Sequence, residues 1–386
     1  MVVMLHYFKF FNFYFAVLFG LIAIWFGGNA IYLGFVVYIA FYVLGDALLG
    51  DDLSEPPLLN AGLLKVMLYS ALPLSCCILA TALALVSTPS APLPHLLYAQ
   101  FNIDINAFTP QATSMQTIVA IPFLALMLGG VATVVAHELV HRVGNPVAVC
   151  VGRWLLAFSF DANFSIEHVY NHHVKVATQD DPATAPRGRD VYTHFVIAFV
   201  GTQKAGWHIE CKRLKRSKLP KFSLHNKCIR GWLMSAFLAL VAFSIAGVSG
   251  IAMFVALGIS TKFTLEIVNY MEHYGLVRCP RQPVRPRHSW NSNRRISCWT
   301  MFNLPRHSHH HAQGAVPFEK LKALQDSPQM VSGYISTMVL ALIPPLWFRI
   351  MEKKLAHWDE HFASDREKEI IAKQLGVSYR SHSGDP

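Results

Sequence analysis

Charge is scarce in this chain. Only 15% of its 386 residues are Asp, Glu, Lys or Arg, against 53% hydrophobic, and the mean hydropathy is +0.35. Soluble globular domains carry about 25% charged residues, so an ordinary water-soluble domain is excluded. Cysteine is present but unorganised. The seven cysteines (76, 77, 150, 211, 228, 279 and 298) contain no C-x-x-C pair and no even secreted framework. That excludes an in-built iron–sulfur or four-cysteine iron module and leaves free thiols as the expectation. No G-x-G-x-x-G follows a strand pattern, so a flavin or nicotinamide fingerprint is absent as well. Residues 88–115 lack Lys and Arg altogether.

What is there is long apolar runs. A helix needs about 20 apolar residues to cross a hydrocarbon core. Six stretches qualify, at 11–27, 29–45, 64–87, 115–136, 229–247 and 251–271. No small-residue cleavage site follows Phe26-Gly27-Gly28 and a second run begins at once, so the first run reads as a retained span. Lys and Arg crowd into 142–230 and 278–306. The positive-inside rule makes these regions cytoplasmic and 88–115 external, with both termini inside. The expected fold is an all-α integral membrane protein of six transmembrane helices. Residues 1–351 form its membrane domain and 352–386 a polar, exposed C-terminal tail. The first hairpin closes at Pro56-Pro57, and the third turns at Gly247-Val248-Ser249-Gly250. The apolar segment Val331 to Met351 is broken by Pro344-Pro345 and reads as re-entrant or interfacial. The net charge of +10 is distributed for a membrane and not for nucleic acid. A basic stretch such as Lys212 to Lys218 suits anionic headgroups, or an acidic partner protein.

Histidine carries the chemistry. His137-Glu-Leu-Val-His141, His168-Val-Tyr-Asn-His172-His173 and His307-Ser-His-His310-His311 each lie where an apolar run yields to a basic segment, and His273 ends the sixth run. Residues three or four apart share a helix face, so His137/His141, His168/His172 and His307/His310/His311 can each present paired nitrogens. Adjacent His172 and His173 point about 100° apart on an α-helix and suit two different ions. The nine imidazoles of His137, His141, His168, His172, His173, His273, His307, His310 and His311 exceed one ion's coordination shell and fit two. The remaining histidines (6, 95, 194, 208, 225, 288, 357, 361 and 382) read as packing or interfacial residues.

Glu138 also completes H-E-x-x-H, the zinc-protease pattern with Glu as general base. A protease needs one further ligand and would leave six histidines unexplained. Glu138 is better cast as an outer acceptor that orients an imidazole, a task for which Glu167, Glu266 and Glu272 are also candidates. A carboxylate inside a span is costly, so Glu266 should have a partner near the site. Asn269, one turn before His273, is a further candidate to orient or ligate.

These boxes, H-x-x-x-H, H-x-x-x-H-H and H-x-x-H-H, resemble those of the membrane desaturase and hydroxylase superfamily of non-haem di-iron enzymes. Asn269-Tyr-Met-Glu-His-Tyr-Gly-Leu276 and Asn171-His-His-Val-Lys-Val-Ala-Thr178 with Asp180-Asp-Pro-Ala183 resemble the alkane monooxygenase family within it. The resemblance, over about 40–330, implies that the nine histidines hold two iron ions on the cytoplasmic side of a bacterial inner membrane. It implies hydroxylation of the terminal methyl of alkanes with O2, one oxygen atom leaving as water and electrons arriving from an external rubredoxin and its reductase. A methyl hydroxylase of alkylaromatics such as xylene or cymene is the alternative in the same chemistry; an intramembrane zinc protease is one from another class. An apolar channel among the spans is expected, with Trp25, Tyr38, Phe41, Phe123 and Met127 as possible gates by depth. The chain departs from the family at one position. The third box usually reads R-H-S-D-H-H, and here His309 replaces the aspartate. The change either removes an outer acceptor or adds a spare ligand, and His309 is taken as an outer residue.

Overall fold

The computed structural model describes residues 6–55 and 61–376, so the expected closure at Pro56-Pro57 and the position of His382 lie outside it. Among the described residues all regular structure is helical, apart from two isolated bridges, Asp51 to Arg294 and Asn291 to Gln329. In chain order the main helices begin with α1 (His6–Phe26), α2 (Asn29–Leu49), α3 (Gly62–Ala84) and α4 (Ser114–Val140). They continue with α5 (Pro146–Ala157), α6 (Val191–Arg216), α7 (Lys227–His273) and α8 (His307–Ala312). The chain ends in α9 (Tyr334–Ala341), α10 (Pro344–His361) and α11 (Asp365–Leu375). Helices α1 to α4 and α7 are long and apolar enough to cross a membrane.

At 47 residues, α7 would be about 70 Å long if straight, more than twice a hydrocarbon core. It is not straight. Ala246 (φ −137°, ψ 17°) and Gly247 (φ 61°, ψ −146°) leave the helical region. The left-handed φ at Gly247 is one that L side chains rarely adopt. A Cβ on Gly250 would strike the Ala242 carbonyl, so the chain doubles back here. The turn expected at 247–250 therefore starts one residue earlier, and each half of α7 is as long as a span. Near the C-terminus, α9 and α10 meet at 118° across the Pro344-Pro345 break, as a bent pair and not one straight crossing.

The membrane helices are fastened to a polar layer that carries the histidines. Asn145 caps α5 through its side chain, and Gly152 lets α5 lie close against the end of α4. Buried Arg153 bonds Ser165 at 3.1 Å and the Lys227 carbonyl at 2.6 Å, tying the second histidine segment to the start of α7. The segment before α8 is stapled beneath α1 and α2. Asp46 accepts from the Ser297 N–H at 3.0 Å and its hydroxyl at 2.6 Å, and Asp52 accepts from Lys9 at 3.0 Å and Trp299 at 2.7 Å. Arg306, next to His307, donates to the carbonyls of Leu321 (2.5 Å) and Asp52 (2.8 Å).

The tail expected beyond Glu352 is a correction as far as Leu375. That boundary falls inside α10, Trp358 is fully buried, and α11 folds back onto the loop that follows His273. Polarity misled because the charges are paired. Arg187 meets Asp359 through two bonds of 2.5 and 2.7 Å, and fully buried Glu367 accepts from His288 at 2.8 Å and from Arg287. The Arg285 N–H donates to His288 Nδ1 at 3.0 Å, so His288 carries its proton on Nε2 and donates it to Glu367. Burial alone would raise the Glu367 carboxyl. The bonds from His288, the Ser364 N–H and Arg287 outweigh it and pull the pKa down to about 2.

Because that pKa is depressed from 4.5, the stability it contributes is complete above pH 4.5 and is lost as pH falls toward 2. Glu367→Ala leaves His288 and Arg287 without their acceptor and should cost about 3–5 kcal/mol of local stability. The expected readout is faster tryptic cleavage within α11 at neutral pH. The wild-type protein should acquire the same sensitivity only below pH 4.5, assayed with an acid-active protease.

Candidate metal centre

Each histidine segment is placed by a local backbone device. The first pair ends α4, whose Gly129–Val134 segment is a π-helix before the α-helical turn that carries His137. The second cluster is itself a π turn, His168–His172. Hydrogen bonds from i to i+5 add about one residue per turn, so residues five apart come to one face. His168 Nε2 accordingly lies 3.0 Å from His173 Nε2. The third cluster is the single α-helical turn of α8, and His273 is the last residue of α7.

The nine imidazoles converge as two neighbourhoods. Ligand atoms of His137, His141, His168, His173 and His310 lie within 4.8 Å of one another. Two overlapping sets, His172/His273/His311 and Glu272/His273/His307, share His273 and make up the second. His172 and His173 thus serve different neighbourhoods, as their angular separation suggests. His168 pairs with His173 and not with His172, because the expectation assumed α-helical register. In α8, His310 joins the first group, while His307 and His311, four apart, join the second.

The rings are held in orientation from outside. Phe164 stacks on His168 at 4.2 Å. Asp181 bonds His172 Nδ1 at 2.9 Å and the Thr184 hydroxyl at 2.6 Å, which turns His172 Nε2 toward the cluster. Glu272 lies 3.2 Å from His307 Nε2 and accepts from Tyr334 at 2.5 Å. Of the acceptors expected from the sequence, Glu272 touches an imidazole and the others are engaged elsewhere. Glu138 pairs with Arg142 at 2.7 Å, and Glu167 bonds Asn171 at 2.9 Å. Glu266 pairs with Lys262 at 2.6 Å and accepts from Asn269 at 3.0 Å. His309 belongs to neither neighbourhood, and its Nδ1 accepts the Lys322 N–H at 3.0 Å. Asp181 was missed as an orienting residue, although it stands in the Asp180-Asp-Pro motif; Tyr334 had no signal, being one tyrosine in an apolar run.

Electrostatics favour neutral rings. Burial, followed by the charge of neighbouring imidazoles, drives His168, His173, His307, His310 and His311 well below the ordinary histidine value and His141 down to about 4. His172 is the exception: burial pulls it down, but the Asp181 carboxylate more than compensates and raises it. Burial, reinforced by the Asp181 charge, pushes the Glu167 carboxyl up to about 8.

Ring nitrogens His137 Nε2, His141 Nε2, His172 Nε2, His307 Nδ1 and both of His311 are buried and have no hydrogen-bond partner among the described residues. Each such group costs about 1–3 kcal/mol if left unsatisfied. Neutral imidazoles with lone pairs turned on one another fit metal ions, and a donor set of nine imidazoles with one carboxylate, Glu272, suits iron, zinc, copper or nickel.

The cluster closes one end of a narrow apolar cavity, about 50 Å³ open to the centre of a water-sized sphere. Leu126, Val134, Leu265, Met301 and Met338 form its walls, with His137, His168 and His307 at the cluster. None of the five gates suggested by depth lines it. Phe123, Met127 and Tyr38 pack in the core, while Trp25 and Phe41 face outward. Elsewhere an open basin of about 490 Å³, polar in part, is lined by Thr178, Gln179, Thr184 and Arg187 together with Pro182, Leu276 and Val277, and the buried Asp181 lies at its wall.

Residues 113–352 match the fatty acid desaturase family. Alkane 1-monooxygenase 1 of Pseudomonas aeruginosa is 40% identical over 238 residues, 60% of this chain and 62% of that protein. The matched region covers a similar share, 60%, of alkane 1-monooxygenase from Acinetobacter baylyi, at 35% identity over 63% of this chain. Alkane 1-monooxygenase of Ectopseudomonas oleovorans is 30% identical over 94% of this chain and 90% of its own length. The xylene/toluene monooxygenase hydroxylase component XylM of Pseudomonas putida is also 30% identical, over 91% and 89%. With its histidine boxes, its apolar helices and these relatives, the chain belongs to the alkane monooxygenase family of the membrane desaturase and hydroxylase superfamily.

Proposed function

We propose that this protein is a non-haem di-iron monooxygenase that hydroxylates the terminal methyl of alkanes. Its six spans would lie in a bacterial inner membrane with both termini and the metal centre on the cytoplasmic side. The observation that carries the reading is a two-part imidazole cluster capping a narrow apolar cavity. One iron would be held by His137, His141, His168, His173 and His310, the other by His172, His273, His307 and His311 with Glu272 at its edge. Bound iron supplies the reduction of O2 by two electrons and two protons, so that one oxygen atom enters a C–H bond and the other leaves as water.

The protein's own part is placement and exclusion. A hydrocarbon partitions into the bilayer and enters the cavity from among apolar helices. Leu126, Val134, Leu265, Met301 and Met338 offer a methylene chain dispersion contacts, so the chain is held mainly by shape with its end toward the imidazoles. The same walls keep bulk water from the reacting end. Protons and electrons would come from the polar basin side, where Asp181 and Thr184 separate water from His172. Electrons would arrive from an external rubredoxin.

Methyl hydroxylation of an alkylaromatic is the second reading, favoured by the similarity to XylM over 91% of the chain. The protease reading loses support because its general base, Glu138, is committed to Arg142. Purified protein should contain two irons per chain, and His310→Ala and His273→Ala should each lower iron content and abolish turnover. One zinc per chain, retained in His310→Ala, would sink the proposal. Membranes supplied with rubredoxin, its reductase and a mixture of octane, hexadecane and p-xylene should yield 1-alkanols; aromatic alcohol alone would put the second reading first.

Gly130 lines the cavity, and a Cβ built on it meets nothing within 4 Å. Gly130→Val should therefore fill cavity space without disturbing the fold. The expected outcome is a turnover ratio of hexadecane to octane reduced at least about threefold, since one to three methyl contacts are worth about 1–3 kcal/mol of discrimination, with iron content unchanged.

A further inference from the structure

The apolar cavity contains one polar group with nothing to do. Thr133 is buried, lines the cavity, and its hydroxyl has no hydrogen-bond partner among the described residues. Threonines in apolar helices normally donate to the carbonyl four residues back. Thr117, Thr202, Thr261, Thr264, Thr300 and Thr337 all do so in this protein, at 2.8–3.0 Å. Thr133 does not, because it sits in the Gly129–Val134 π segment, where the backbone register is shifted and that carbonyl is no longer in place. The other polar side chains that line the cavity away from the imidazoles are committed: Thr264 to Ser260, Asn269 to Glu266, and Tyr334 to Glu272. Thr133 lies four residues before His137, about one helical turn away in the same helix, and both line the cavity.

We propose that the Thr133 hydroxyl is the recognition group for an oxygen atom at the end of the bound chain, and that the cavity thereby holds a primary alcohol in preference to the alkane of equal length. This deepens the hydrocarbon reading of the same cavity and rests on it. A hydrocarbon leaves Thr133 unsatisfied, which costs free energy in an apolar site. A terminal hydroxyl satisfies it, because each oxygen can donate and accept. Thr133 is therefore a specificity-determining residue: it tolerates the methyl end of the incoming chain and retains the oxygenated one. Its position follows from the π segment, which releases the hydroxyl from the backbone and turns it into the cavity.

The test uses the full metal-loaded chain in nanodiscs, without an electron donor and under argon, so that binding is read without turnover. Displacement of radiolabelled dodecane is compared for unlabelled dodecane and 1-dodecanol at equal bilayer concentrations. The alcohol should displace the label at about two- to tenfold lower concentration, the worth of one buried hydrogen bond. Thr133→Val, nearly isosteric, should erase that preference by weakening 1-dodecanol while dodecane binds at least as tightly as before, and Thr133→Ser should keep it. An alcohol preference that survives Thr133→Val overturns the assignment to Thr133 alone. Absence of saturable dodecane binding in the wild-type protein overturns the hydrocarbon reading itself and this inference with it.

Discussion

Nine imidazoles, seven of them buried and two half-buried, crowded so that their nitrogens face one another are unstable on their own. Each lone pair or N–H that meets no partner carries a desolvation penalty, and a proton added to any ring would meet its neighbours' charge. The arrangement is tolerable only where cations collect the lone pairs and rigid elements prevent the rings from turning away. Much of the structure reads as the answer to that constraint. Asp181 and Glu272 hold two rings from behind. Arg306 ties the backbone before α8 to Asp52 and Leu321, and Arg153 ties the second histidine segment to the start of α7. These fastenings join four separate stretches of chain to one centre, so the fold is organised around it.

The residues of the centre were legible in the sequence because spacing on helices limits which histidines can converge, and because their number exceeds what one ion can use. Their partition was only half legible. The separation of His172 from His173 follows from any helical geometry, whereas the pairing of His168 with His173 depends on a π turn. No residue type announces that register. The same shift in α4 frees the Thr133 hydroxyl, so two departures from α-helical hydrogen bonding shape the two sides of the site. The long apolar helices were legible from length and hydropathy, including the break in α7 at Gly247. The C-terminal region was not. A segment of charged residues looks solvated until its partners are known, and Glu367 finds His288 and Arg287 some 80 residues away.

Carboxylates were the weakest part of the sequence reading, for a physical reason. An acid near a histidine in sequence has many possible partners, and the nearest strong donor takes it. Glu138 faces Arg142 one turn on, and Glu266 faces Lys262 one turn back. Lys262 in turn is buried between Glu266 and Asp161, both at 2.6 Å. A cation held by two carboxylates inside a span satisfies the expectation that Glu266 must have a partner, but the partner is not an imidazole. His309 follows the same logic. Its ring nitrogen accepts the Lys322 N–H, an interaction that an aspartate oxygen could make equally well. The substitution therefore keeps an acceptor for the loop after α8 and leaves both imidazole groups as they are.

The centre also divides two solvents. The dry cavity approaches it past Met301, Met338 and Leu265, and the polar basin approaches it through Asp181 and Thr184. The proposed reaction, which would join a hydrocarbon to reducing equivalents and protons, needs both phases to meet at one place without mixing. Water in the cavity would compete for Thr133 and lower the cost of leaving the reacting end unprotected. The imidazole cluster has Asp181 bonded to it on one side and the π segment of α4 leading into it on the other. Its rigidity matters as much as its ligands, because a ring that swung aside would lose both its orienting partner and its place among the other imidazoles.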